Sequence, residues 1–237
     1  LMQEPSRISL RSNLSFDGMS KKNSYLKNVD FTYDKIDFEE AKVLFNKILQ
    51  ARKFRDSMIR LNYNLSIFNT ITIYEKLSYE NTLFSKLFTF LDSFVGNPSH
   101  KHEQHVSNRV ARFLSGLNGL DEELISKRLV DIWRFNRAPD MHGYEKQLLP
   151  DQDNINFSYD LCCLFEIVRI CLYKLLLLPE KIWASYSEIP IPSIGKTGKE
   201  RKDEEKERME KAEEFFNRSY DNPPSLKMFF DFTKNIK

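Results

Sequence analysis

From Phe38 onward the apolar residues recur at helical intervals, not at the alternating intervals of strands. Asp37 followed three residues later by Glu40 marks a helix start. Val43, Leu44, Ile48 and Leu49 then form a broad apolar face. A second helix is predicted from Phe54 to Lys76, carried by Met58, Leu61, Leu65 and Phe68. Its Ile71-Thr72-Ile73 segment is β-branched and reads either way. Ser78 supplies an N-cap for a third, strongly apolar helix with Leu83, Phe84, Leu87, Phe88, Leu91 and Phe94, stopped by Gly96-Asn97-Pro98.

A histidine-bearing linker leads into a helix of about Val106–Leu117. Asp121 then caps a helix with Leu124, Ile125, Leu129, Ile132 and Trp133 on one face. A polar loop, Pro150 to Asn154, precedes the most apolar stretch of the chain, Tyr159 to Leu178. Apolar residues surround that helix almost completely, which predicts a central position in a bundle. Pro179 ends it. Beyond Pro190 and Pro192 comes an unbroken charged run, Lys199 to Arg208, with Glu204/Arg208 and Glu207/Lys211 at helix-supporting spacing. It reads as a solvated single helix. Leu226, Met228, Phe229, Phe230 and Phe232 form an apolar C-terminal stretch that can dock on the bundle or on a partner.

The expected fold class is therefore all-α. It comprises an N-terminal arm or linker over 1–37, a helical bundle over 38–183, and a linker, charged helix and apolar segment over 184–237. Composition agrees. Nineteen Phe among 41% hydrophobic residues is a folded composition, and seven Gly make glycine-rich phosphate loops less expected. A net charge of +2 neither requires nor excludes nucleic acid.

Cys162, Cys163 and Cys171 all lie in the apolar helix, so they read as buried thiols of a reducing compartment and not as a disulfide framework. No signal peptide is visible, and Ile167–Leu178 is too short to span a bilayer. The expectation is a cytoplasmic chain without membrane attachment. Leu1 at its start suits a fragment of something longer.

One constellation carries chemistry: Arg137-Ala138-Pro139-Asp140-Met141-His142-Gly143. Positions five apart do not share a face of an ideal helix, but a bend or widened turn at Pro139 can bring Arg137 and His142 together. A histidine moves protons near neutral pH, and an arginine fork holds a phosphate and stabilises charge building on it. Such a pair suits RNA cleavage. Three of the four histidines lie in His100-Lys101-His102-Glu103-Gln104-His105. With no nearby Cys pair, that segment reads as a solvated or RNA-facing loop, and neither metal nor other cofactor is expected. Arg109 and Arg112 follow it and can extend a basic RNA-binding rim. Trp133 and Phe135 read as core, and Tyr144 as a residue that can stack on an unpaired base.

Two apolar helices, a basic helix, the lead-in Ile132 to Arg137, the Arg137-to-His142 element, Gly143, a polar loop and a long apolar helix follow one another from Phe38 to Pro179. In this order the chain resembles the HEPN family, and within it HEPN domains of the Apea type. The resemblance implies a helix bundle that forms a homodimer, with two Arg-to-His elements facing each other across a composite active site. It further implies a metal-independent endoribonuclease in which the ribose 2′-hydroxyl attacks the adjacent phosphate. Arg137 would hold the phosphate and His142 would transfer a proton or position an oxygen.

The residue after the family's arginine is commonly a polar Asn; here it is Ala138, with Asn136 and Asp140 as possible auxiliaries. Arg109, Arg112, Arg134, Tyr144 and Lys146 are the candidate RNA-binding residues. The implied partners are RNA, tRNA among the options, and an antitoxin or regulatory domain, in antiviral defence or toxin-type growth arrest. The alternative is a non-catalytic HEPN module that binds RNA or dimerises and so regulates a larger protein.

Overall fold

The structure is a computed structural model that describes residues 35–54, 56–76, 80–96, 103–117, 120–133, 153–192, 197–223 and 226. The described residues form eight helices and no strand, packed as a bundle, as the apolar spacing predicts. They are α1 (Lys35–Lys53), α2 (Ile59–Lys76), α3 (Glu80–Phe94), α4 (Glu103–Leu114), α5 (Glu122–Ile132), α6 (Asp153–Leu177), α7 (Glu180–Ser187) and α8 (Gly198–Phe216).

The most apolar helix is central. α6 buries Leu161, Leu164, Ile167, Val168, Cys171, Leu172, Leu175 and Leu176, and it lies against α1, α3, α4, α5 and α7. Around it, α2 pairs with α3 and α4 pairs closely with α5. The β-branched Ile71-Thr72-Ile73 segment stays helical within α2, with Ile71 fully buried. Tertiary burial overrides its local ambiguity.

Several boundaries differ from the periodic reading. The stretch predicted from Phe54 begins as a turn, in which Met58 N–H donates to Phe54 O at 3.0 Å, and α2 starts at Ile59. α6 begins at Asp153, inside the predicted polar loop. Glu180–Ser187, unassigned by periodicity, is a short helix that sends Trp183 and Tyr186 fully into the core. The expected division between 183 and 184 therefore falls within α7.

α8 corrects the solvated-helix expectation. Its first turns are exposed, but Arg208, Ala212, Phe215 and Phe216 are buried. The expected Glu204–Arg208 pair forms at 3.4 Å, with both side chains largely out of solvent. Apolar residues are sparse in α8 yet concentrated in its last turns, where docking occurs. There Phe216 meets Phe94 (5.7 Å between ring centres) and Phe113 (5.8 Å), while Phe215 meets Tyr186 at 5.2 Å. Such aromatic pairs add to the gain from burying their area, itself about 1.5–3 kcal/mol for a fully buried Phe.

Gly96 makes this approach possible. It ends α3 at φ +69°, and a Cβ there would lie 3.0 Å from both Ala212 Cβ and Ile189 Cγ2. A glycine is required by the left-handed backbone and by the tight contact with α8.

The docking of α8 has a measurable consequence. Phe216→Ala is expected to destabilise the chain by about 3–5 kcal/mol, read as a lowered midpoint in urea unfolding. A midpoint equal to that of the parent would show α8 standing free of the core.

Candidate nucleic-acid site

α5 and α6 bracket the element singled out by the sequence. α5 ends at Ile132, with Trp133 packed edge-on against Phe88 at 4.7 Å, and α6 begins at Asp153. The connection between them carries Arg137 and His142. Those two residues, with Arg134, Asn136, Asp140, Tyr144 and Lys146, lie outside the described residues.

What is described is the frame at either end. Arg128 on α5 donates from Nη2 to Asp160 Oδ1 on α6 at 2.5 Å. The same guanidinium lies over the Tyr159 ring, 5.2 Å from its centre. Both members of the ion pair are mostly shielded from solvent, where such a contact is stronger than at an exposed surface. The contact ties the body of α5 to the second turn of α6. Periodicity did not single out this pair, because a lone Arg and a lone Asp on two helices carry no spacing signal.

The predicted basic rim divides in two. Arg109 is 3% exposed, with Nη1 donating to Val95 O at 3.1 Å and Nη2 to Glu213 Oε2 at 3.0 Å. Burial raises the Glu213 carboxyl, but hydrogen bonds from Arg109 and Asn217, with the charges of Arg109 and Arg112, outweigh it and hold the group below its ordinary value. Arg109 is thus an interior fastener between α3, α4 and α8, and it presents no phosphate-binding fork at the surface. Arg112 remains exposed, donates to Asn217 Oδ1 and lies 3.5 Å from Glu122 Oε1. His105 is exposed. His100 and His102 fall outside the described residues. Among the described residues, no group of three His, Cys, Asp or Glu side chains is placed to hold a metal.

The two buried thiols, Cys163 and Cys171, are poor nucleophiles in this setting. Burial pushes Cys163 up to about 12 against the opposing effect of Arg128, and burial likewise raises Cys171. Cys162 is only half-buried, and none of the three cysteines forms a disulfide.

A further cation is buried in α6. Lys174 donates from Nζ to Phe113 O and to Asn222 Oδ1, each at 2.5 Å. Burial lowers its ammonium from 10.5 to about 8, opposed by Cys171 and Asp221.

Three features escaped the apolar pattern: the Arg128–Asp160 tie, the interior place of Arg109, and an exposed apolar surface on α1 and α2. For the last a signal was present. Leu44 and Ile48 turn inward, while Phe45 and Leu49 on the same helix remain exposed.

Arg109→Ala is expected to cost about 1–3 kcal/mol, because it leaves the buried Val95 carbonyl without its donor while half-exposed Glu213 returns to water. Arg112→Ala is expected to stay within about 0.5 kcal/mol. Equal effects of the two substitutions in chemical unfolding would contradict this division.

The pH dependence of Lys174 follows from its lowered value. Between about 8 and 10.5 the unfolded chain holds the proton that the folded chain has released, so stability rises with pH across that window. The parent is therefore expected to gain on Lys174→Met as pH rises from about 7 to about 10. A stability difference that stays flat with pH would refute it.

Compared with known proteins, the chain has no match among family models, curated proteins or solved structures.

Proposed function

We propose that the chain is a metal-independent endoribonuclease of HEPN type. One observation carries the reading. An arginine and a histidine five residues apart, Arg137 and His142, lie on the connection between α5 and the central helix α6 of an all-helical bundle.

The proposed chemistry uses the RNA itself as nucleophile. The ribose 2′-oxygen attacks the adjacent phosphorus and loses its proton. The bond to the 5′-oxygen breaks, and that oxygen takes up a proton. The products are a 2′,3′-cyclic phosphate and a 5′-hydroxyl. Arg137 neutralises charge on the phosphate oxygens, and His142 serves one of the two proton transfers. Asn136 or Asp140 assists in place of the polar residue that Ala138 lacks. Arg112, Arg134, Tyr144 and Lys146 contribute RNA contacts. The assembly is a homodimer in which two such elements share one cleft, acting on structured RNA such as tRNA in antiviral defence or toxin-type growth arrest.

A second reading, a non-catalytic module that serves a larger protein, is favoured by the exposed apolar surface of α1 and α2. The two separate cleanly. On the nuclease reading, purified chain cuts a panel of cellular RNAs in the presence of EDTA. His142→Ala and Arg137→Ala each abolish cutting and leave the helical circular-dichroism signal intact. Intact RNA with the parent protein, or cutting that survives both substitutions, would remove the nuclease reading and leave the binding module.

A further inference from the structure

Arg128 of α5 is engaged by three neighbouring residues of α6. Its Nη2 donates to Asp160 Oδ1 at 2.5 Å, its guanidinium lies over the Tyr159 ring at 5.2 Å, and its charge reaches the Cys163 thiol. α5 itself rests mainly on α4 and meets α6 at fewer points. The cluster therefore joins α5 to a helix that it otherwise touches lightly.

As a source of stability the join is a poor one. The Arg128 and Asp160 side chains are 20% and 11% exposed, so both charges have largely left water. Arg128 Nε is buried with no acceptor. A shielded ion pair with an unmet donor gains little over apolar side chains of similar size. What it supplies is register. Apolar side chains can pack at more than one offset. Sliding α5 by a single residue, about 1.5 Å, would part the guanidinium from both the carboxylate and the ring.

Register matters here because of what the two helices carry between them. Arg128 is four residues before Ile132, where α5 ends, and Asp160 is seven residues after Asp153, where α6 begins. Trp133, edge-on to Phe88 at 4.7 Å, holds the same end of α5 against α3. At 1.5 Å per residue those helical lengths are about 6 and about 10 Å, short enough to be stiff. The pair therefore sets the separation and offset of the two points between which the connection bearing Arg137 and His142 is strung. Reacting groups must be held close to their working geometry, and a misplacement of about 1 Å costs on the order of 100-fold in rate.

We infer that Arg128 and Asp160 are positioning residues for the proposed ribonuclease, with the Tyr159 ring as the surface on which the guanidinium is set. They act through the spacing of α5 and α6 and not on RNA. This rests on the nuclease reading and adds to it the pair that governs how Arg137 and His142 are presented.

The test separates position from stability. In the double variant Arg128→Met with Asp160→Leu, apolar side chains replace the pair, and the urea midpoint is expected to equal or exceed that of the parent. Cutting of a labelled RNA that the parent cleaves is followed in EDTA over a range of RNA concentrations. The double variant is expected to keep KM within about 2-fold and to lose kcat by about 10-fold or more. Arg128→Lys keeps the charge beside Asp160 but not the planar face over Tyr159, and it is expected to recover part of that loss. Phe216→Ala, which weakens the fold outside this cluster, is the control and keeps its kcat under folded conditions. A double variant with the kcat of the parent overturns the inference and leaves the nuclease reading standing. So does a loss confined to KM, or a loss of kcat that Phe216→Ala shows equally. A parent that leaves every RNA of the panel whole removes the nuclease reading, and this assignment with it.

Discussion

Two helices of this bundle end inside it, and their last carbonyls must be satisfied there. The final C=O groups of an α-helix have no partner within the helix, and burying them unmet is costly. α3 has no basic residue in its last turn to serve them. The partners come from elsewhere in the chain. Arg60 of α2 donates to Ser93 O, Tyr186 of α7 to Phe94 O, and Arg109 of α4 to Val95 O. At the end of α4, Lys174 of α6 takes Phe113 O and Asn222 takes Ser115 O. Positive charge at a helix C-terminus is also favoured by the helix dipole.

This constraint fixes much of the rest. Tyr186 can reach Phe94 O only if α7 turns back onto the bundle, which brings Trp183 into place with its Nε1 donating to Leu175 O at 2.8 Å. Asn64 completes the site by donating to the Tyr186 hydroxyl at 3.0 Å. Burial lowers Arg60 and raises Tyr186, the directions expected when an ionisable group leaves water. Glu213 brings α8 against Arg109, and Phe215 and Phe216 then close over the ends of α3 and α4. The aromatic contacts supply area, while the polar contacts decide which ends of which helices meet.

The helical class and the central place of α6 were legible in the sequence because they follow from periodicity alone. The roles of individual cations were not. Arg109, Arg60 and Lys174 are solvated side chains by composition, and nothing local distinguishes them from exposed Arg112. Their burial depends on carbonyls that become neighbours only when distant segments pack, 129 positions apart for Arg60 and Ile189. α8 departs from the solvated expectation for the same reason: its mean polarity is high, yet Ala212, Phe215 and Phe216 concentrate the docking contacts near its end. Arg137 and His142 were legible only as a spacing. The described residues add the Arg128–Asp160 tie between the helices on either side, and the site residues themselves lie beyond them.

Where the polar network is densest, function has least room. The ends of α3 and α4 are occupied by side chains from α2, α4, α6 and α7 and by Asn222, so a ligand there would have to displace hydrogen bonds that the fold requires. α1 is held differently. Its inner face rests on α6 and α2, and its links to α7 include Gln50 to Glu180 and the Lys47 ammonium over Trp183. Among the described residues no helix end depends on its outer stripe, so Phe45 and Leu49 can remain apolar without serving the core. A large side chain exposed on a helix whose inward face is already satisfied contributes little to folding. The outer surface of α1 is thus a place where sequence can change while the carbonyls buried at the ends of α3 and α4 stay satisfied.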